Sequence, residues 1–338
     1  MIESSNLQFY EESLEYILKV QSKDGSIPWE KDKKLDPWDH VEAAMGLSIG
    51  GELKGAQKAF LWLKDKQEED GSWYAEYQNS MPTSERKESN FSAYIATGLW
   101  HYYLISRDKE FLELMFPSLK KSMEFVISLQ TSFGDINWGK ENNNVLDDSL
   151  ITGCSSIYKS LDCAISIYRI LGYKEDFLIE SKNLLKKCLK QNPERFDRGW
   201  ESKSRYSMDW YYPVMCGVLK DESAKERLKS RWGEFIVDGK GSKCVEEEPW
   251  VTVAESSELV VALMVNGQKE KAKMVFDWLH QWRGENDNLY WTGYVYTDKA
   301  YWPIEKPTWT AAAVLIAADT IFKFTPGSEL FIKEWEFE

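Results

Sequence analysis

The feature that most constrains this chain is an alternation of two kinds of helical segment joined by two kinds of connection. Apolar residues recur at three- and four-residue spacing, which predicts helices near 7–21, 38–49, 53–67, 90–106, 109–130, 148–171, 174–190, 206–218, 222–235, 250–266, 268–283 and 307–322. Odd-numbered segments, such as 53–67 (LKGAQKAFLWLKDKQ), set an apolar stripe against lysines and other polar residues, as one solvated face requires. Even-numbered segments, such as VEAAMGLSIG and TWTAAAVLIAADTIF, are rich in Ala, Ser, Gly and Thr and suit burial on all sides. Links after even segments are very short, around Gly50, Arg107, Gly172, Lys220 and Gly267, and short links force antiparallel neighbours. Links after odd segments are long, so in an up-down array every long loop falls at one end. Exposed outer helices alternating with buried inner ones predict an all-α (α/α)6 toroid. It has six helical hairpins, two concentric helix rings and its long loops at one mouth. An open solenoid of helical pairs is the competing arrangement.

Length alone, 338 residues, suggests two domains, but a repeated hairpin accounts for it within one, spanning 1–338. The net charge of −13 argues against nucleic acid and anionic membrane as partners, since both need a basic footprint. No apolar run reaches bilayer length, which argues against membrane insertion. The start, MIESSNLQFYEES, lacks the basic-then-apolar pattern of a secretory signal. The five cysteines have no regular spacing and read as reduced thiols, so a cytoplasmic location is expected. His40, His101 and His280 lie in no zinc spacing with a Cys, so neither a metal nor another cofactor is expected. Some of the 16 Trp must fill the core, but the count leaves room for an aromatic-lined site.

Three long loops open alike: Gln21 through Gly25 to Trp29, Gln67 through Gly71 to Trp73, and Gln130 through Gly134 to Trp138. The structural reading is that Gly caps the outer helix, Gln bonds the turn and Trp packs on the next repeat. The Q-x-x-x-G-x-W spacing of Gln67, Gly71 and Trp73 resembles repeats of the squalene-cyclase and protein-prenyltransferase toroids. The order of helices and loops across nearly the whole chain resembles the glucoamylase-type six-hairpin glycosidases. Both resemblances imply the toroid, and neither carries its chemistry over intact. The cyclase D-x-D-D motif is incomplete at Val145-Leu146-Asp147-Asp148. A glycosidase acid expected just after Trp138 meets Gly139 and Lys140, with Glu141 displaced. A glycosidase base expected near Trp291 meets Thr292 and Gly293.

Inner helices all begin at the elaborated mouth, so their first turns should ring a pocket. Those turns repeat acid, Pro and Trp, and helix capping explains part of the acid content. Asp209 and Glu255 sit inside nearly apolar helices, where a charge is costly unless paired or facing a wet cavity. Asp39, Asp148, Asp209, Glu248 and Glu255 are therefore candidate catalytic acids. Trp38, Tyr94, Tyr158, Trp210, Tyr211, Trp250 and Trp309 are candidate substrate platforms, with His40, Arg205 and Glu305 as polar partners. His40 reads either as an acid/base partner of Asp39 or as a structural core residue. Aromatic faces with carboxylates point to an enzyme acting on a small-molecule or oligosaccharide substrate by acid/base chemistry, whether hydrolysis, lysis or epimerisation. A terpenoid cyclase or prenyl-group enzyme is the second reading, through cation–π stabilisation of a carbocation. A non-catalytic glycan- or metabolite-binding toroid is the third.

Overall fold

The expected helices form, with ends shifted by a few residues. The computed structural model describes residues 3–335. Its outer helices are α1 (Glu11–Val20), α3 (Leu53–Lys66), α5 (Lys109–Ser128), α7 (Asp176–Gln191), α9 (Asp221–Ser230) with its one-turn continuation α10 (Trp232–Phe235), and α12 (Lys269–Leu279). The inner helices are α2 (Pro37–Ile49), α4 (Ser89–Ser106), α6 (Ile151–Leu171), α8 (Ser207–Met215), α11 (Val253–Val265) and α13 (Thr308–Phe322). Inner helices pack on one another in that order, and α13 packs back onto α2. That last contact closes the ring and rules out the solenoid. The composition difference follows from position: every residue of α2 is buried, whereas α3 buries only the stripe from Gly55 and Ala56 to Trp62 and Leu63.

The repeated Gln and Gly build a clasp between successive outer helices. Gln21, Gln67 and Gln130 each donate from Nε2 to the carbonyl of the glycine four residues on, and also to Gly55, Ser118 and Ser181 of the next outer helix. Gly25, Gly71 and Gly134 take φ of +101°, +91° and +101°. A Cβ on Gly71 would sit 2.1 Å from the Lys121 carbonyl oxygen, so both conformation and space demand glycine there. The glycine thus acts four residues beyond the glutamine, in the turn, rather than as the helix's immediate cap.

The long loops also form strands too short to show an alternating pattern in the sequence. A small hairpin pairs β1 (Tyr77–Gln78) with β2 (Met81–Pro82). β3 (Arg86–Glu88), β4 (Gly139–Glu141) and β5 (Asn144–Leu146) join the second and third long loops. β6 (Ile236–Val237), β7 (Gly241–Lys243), β8 (Trp250–Thr252), β9 (Gly293–Val295) and β10 (Ala300–Tyr301) form an antiparallel sheet across the last two. At the opposite end, the Asp319 carboxylate accepts from the Thr325 N–H and hydroxyl, each at 2.7 Å, and turns the chain after α13. The tail then packs against α13 and α4, with Phe331 buried.

Candidate active site

The first turns of the inner helices enclose a cleft of about 220 Å³ at the mouth. α2 supplies Asp36, Trp38 and Asp39, and α13 supplies Trp309 beside the loop residue Trp29. Asn90 and Phe91 of α4, Thr152 of α6 and Met208 of α8 complete the wall. Local chemistry fixes the start of α2: Asp36 accepts from the Asp39 N–H at 2.8 Å, and Pro37 occupies the first turn, where its missing N–H costs nothing. Asp36 is therefore both a cap and a cleft residue. Burial, and then the adjacent Asp36 carboxylate, push Asp39 well above the usual carboxylate range, which favours its protonated form.

One turn deeper on α2 lies Glu42. Its Oε1 accepts from Trp38 Nε1 at 3.1 Å and the Tyr94 hydroxyl at 2.8 Å, while Oε2 accepts from Trp309 Nε1 at 2.8 Å. Trp38 stacks flat on Tyr94, with centroids 4.1 Å apart, and Trp309 leans on Trp29 at 5.8 Å. A single buried carboxylate therefore orients two of the three indoles that face the cleft. Burial raises Glu42 to about 7 against the three hydrogen bonds that favour its charged form.

A second acid pair stands on α11. Glu258 accepts the Tyr211 and Tyr212 hydroxyls, each at 2.5 Å, and burial followed by the charge of Glu42 raises it well above its ordinary value. Glu42 and Glu258 both border a small void at the ring axis, beneath the cleft. Glu255 lies one turn nearer the mouth, 7% exposed, with the Cys244 thiol directed at it.

Of the residues singled out from sequence, Asp39, Trp38 and Trp309 line this cleft, and Tyr94 stands directly behind Trp38. The others are placed elsewhere. His40 is fully buried, accepting at Nδ1 from the Ile27 N–H and donating from Nε2 to the Ala59 carbonyl. Burial lowers it to about 4, so it is a neutral core residue. Asp148 is held by the N–H groups of Ser149, Arg198 and Gly199 and organises a loop. Asp209 turns to the outer ring, 4.0 Å from Arg227, and burial raises it to about 6. Trp210 also faces outward, donating to the Arg227 carbonyl at 2.7 Å and stacking on Phe235. Tyr211 supports Glu258 from behind the ring wall.

Tyr158, two turns down α6, lines a cavity at the opposite end. Glu248 is exposed on the loop between β7 and β8, and Arg205 pairs there with Glu247. Trp250 sits on β8 against Trp302, and Glu305 accepts from Thr292 at 3.4 Å. Reading from sequence missed Asp36, Glu42, Glu258 and Trp29. A usable signal existed for the two glutamates: each lies three residues after a candidate acid, hence on the same helix face.

A closed double ring of helices, with an acid- and tryptophan-lined cleft at its elaborated end, defines a glycosidase-type (α/α)6 toroid. The chain is 41% identical over 315 residues to the MMP endo-(1,4)-3-O-methyl-alpha-D-mannosidase of Mycolicibacterium hassiacum, which spans 93% of this chain and 86% of that one. It belongs to the family of that glycosidase. No protein-family model matches the chain. Among solved structures, a wild-type glycosidase superposes with a TM-score of 0.75 at 11% identity, covering 94% of this chain and 97% of the other. The GH63 mannosylglycerate hydrolase from Thermus thermophilus superposes with a TM-score of 0.72 at 13% identity, covering 91% and 99%. Similarity at that level carries the fold alone. The six-hairpin glycosidase resemblance is thus supported, and the cyclase and prenyltransferase one is not. Among the described residues, no helix is long and apolar enough to cross a membrane.

Proposed function

We propose that this protein hydrolyses α-(1,4) linkages between 3-O-methyl-mannose units, with Asp39 as the general acid. The observation that carries this reading is a buried carboxyl opening into a cleft flanked by two indoles fixed to one carboxylate. The indole faces of Trp38 and Trp309 stack on sugar rings, and Asn90 and Thr152 meet their hydroxyls. The apolar surface of Phe91 and Met208 suits methyl ethers, which a wholly polar pocket would disfavour. In the reaction Asp39 protonates the glycosidic oxygen as the bond to the anomeric carbon breaks. A second carboxylate must act from the other face of that sugar, about 5–9.5 Å from the first, either taking a proton from the water that adds to the anomeric carbon or adding there itself before water displaces it. Asp36 lies on the same turn as Asp39 and is too close for that task. Asp148 is held by three backbone N–H groups, Asp209 turns to the outer ring 4.0 Å from Arg227, and Glu248 is exposed. Glu255, one turn nearer the mouth than Glu258 on α11 and free of its tyrosine lock, is assigned the role.

Reducing ends released from an α-(1,4)-linked 3-O-methyl-mannose oligosaccharide provide the test. The substitutions Asp39→Asn and Glu255→Gln should each lower kcat by about 10³-fold, in line with loss of a general acid or base. Wild-type turnover by Asp39→Asn would sink the assignment. Binding without any cleavage by the unmodified protein would make the toroid a glycan-binding module. The unmethylated oligosaccharide should be cleaved roughly 10- to 100-fold less efficiently, the usual worth of one apolar group in a pocket.

A further inference from the structure

The last long loop carries an apolar rim outside the cleft. Ile304, at 75%, is the most exposed large apolar side chain among the described residues, and Trp302, two positions earlier, is 55% exposed. Single exposed apolar residues are ordinary, but these two stand next to a third, Trp250 of β8. The Trp250 and Trp302 rings meet edge to face with centroids 4.9 Å apart, and Trp250 Nε1 donates to the Trp302 carbonyl at 2.7 Å. The Trp302 N–H donates to the Gly293 carbonyl of β9 at 3.1 Å. Trp302 is thus fixed through both of its backbone groups while more than half of the residue stays open to solvent.

Backbone bonds place this segment beside the cleft. The Glu305 carbonyl accepts from the Thr292 N–H at 3.2 Å, and the Thr292 carbonyl accepts at 3.0 Å from Val253, the first residue of α11 and two before Glu255. On the other side, Lys306 donates its N–H to Glu30 Oε1 and Thr308 donates to the Trp29 carbonyl, each at 2.8 Å. The rim therefore runs from the start of α11 to the Trp29 and Trp309 pair of the cleft. Across the mouth the comparable rings are covered. Trp138, bonded between the starts of α4 and α6, lies under Arg86, and Trp200 lies under Lys203.

The cleft itself, about 220 Å³, is smaller than the ~300–1,000 Å³ typical of small-molecule sites, so sugars beyond those at the cleaved bond must run out over its edge. We infer that Trp302 and Ile304 form an outer subsite, which takes the apolar face and methyl ether of a 3-O-methyl-mannose unit further along the oligosaccharide. The inference rests on the hydrolase reading above for the identity of the sugar. Stacking there removes apolar surface of both partners from water, and a platform already fixed by its backbone loses little freedom on binding.

Calorimetric titration of the full chain with sulfur-linked, hydrolysis-resistant α-(1,4)-3-O-methyl-mannose ligands, a disaccharide and a hexasaccharide, tests the inference. The hexasaccharide should bind more tightly, and Trp302→Ala should reduce that advantage about tenfold, the scale of one apolar group in a pocket. Ile304→Ser should reduce it in the same direction by a smaller factor. The Trp302 carbonyl that Trp250 bonds remains in the alanine variant, and the melting temperature reports that both variants stay folded. Equal affinity for the two lengths in the unmodified protein, or an unchanged length advantage in Trp302→Ala, would overturn the subsite. Loss of self-association in Trp302→Ala without any change in sugar binding would also overturn it, and would make the rim a contact between copies of this chain. The hydrolase reading fails separately, if the unmodified protein leaves the oxygen-linked hexasaccharide uncut while binding still depends on Trp302.

Discussion

Helices α2 and α11 carry the same device with different attachments. Each places two acids three residues apart, Asp39 and Glu42 on one, Glu255 and Glu258 on the other. In each, the upper acid lies nearer the mouth and the lower one is buried and held by ring donors. The partners differ. Glu42 is bonded by Trp38 and Trp309, whose faces line the cleft, whereas Glu258 is bonded by Tyr211 and Tyr212, which are both fully buried. Identical spacing on two helices therefore yields one carboxylate tied to the binding surface and one tied to the scaffold. Disturbing Glu258 should be read in stability, and disturbing Glu42 in substrate binding.

The largest effect is expected at the scaffold acid. Glu258→Ala leaves a cavity and strips two buried tyrosine hydroxyls of their acceptor, a loss of about 3–5 kcal/mol. Glu258→Gln should cost less than ~1 kcal/mol, because burial already disfavours the charge and a tyrosine hydroxyl can rotate to accept from the amide. Denaturant unfolding of both variants checks this. An equally damaging Gln would mean that Glu258 is charged and that the two carboxylates differ less than their partners suggest.

Glu42 should contribute a separable part of the pH dependence. Its folded value of about 7 lies above the ordinary 4.5, so the folded state binds the extra proton. The corresponding stability is fully present below pH 4.5 and is lost as pH rises through about 7. That difference corresponds to roughly 3 kcal/mol. Asp39 and Glu258, raised well above their ordinary values, and Asp209 and Asp319, each raised to about 6 chiefly by burial, add slopes of the same sign, so the measurement is a difference curve between the unmodified protein and Glu42→Gln. The variant should lack this part of the decline. Its amide group faces an indole N–H with a donor, so KM should rise about tenfold with kcat nearly unchanged. A fall in kcat alone would move Glu42 into the reaction.

Much of the fold was legible because its signals span many residues. Alternating composition and loop length specified both rings, and the Gln21, Gln67 and Gln130 clasps announced themselves by repetition. The sheet β6 to β10 was not legible, since strands of two or three residues make their bonds across loops distant in sequence. In the site, Asp39, Trp38 and Trp309 could be read from their first-turn positions. Asp209 and Trp210 have the same address but face the outer ring, a matter of helix rotation that a charge in an apolar run does not report. Glu42 escaped notice because it resembles a cap-proximal acid until Trp309, distant in sequence, is seen to bond it.

Single hydroxyl deletions give the smallest expected effect and the finest test of the contrast between α2 and α11. Tyr94→Phe removes one of three donors to Glu42, and Tyr211→Phe removes one of two to Glu258. Each should cost about 1–2 kcal/mol in stability, the range for a buried hydrogen bond to a carboxyl group. Their other readouts should diverge. Tyr94 favours the charged form of Glu42, so Tyr94→Phe should push the midpoint of the Glu42 stability decline above 7. The ring of Trp38 keeps its stacking contact with the phenyl face that remains, so KM should change by less than about threefold. Tyr211→Phe should leave both that midpoint and KM where they are, because its effect ends at Glu258. A shifted midpoint in Tyr211→Phe would show that the two carboxylates titrate as one unit across the axial void, and the division between binding surface and scaffold would then have to be redrawn around the pair.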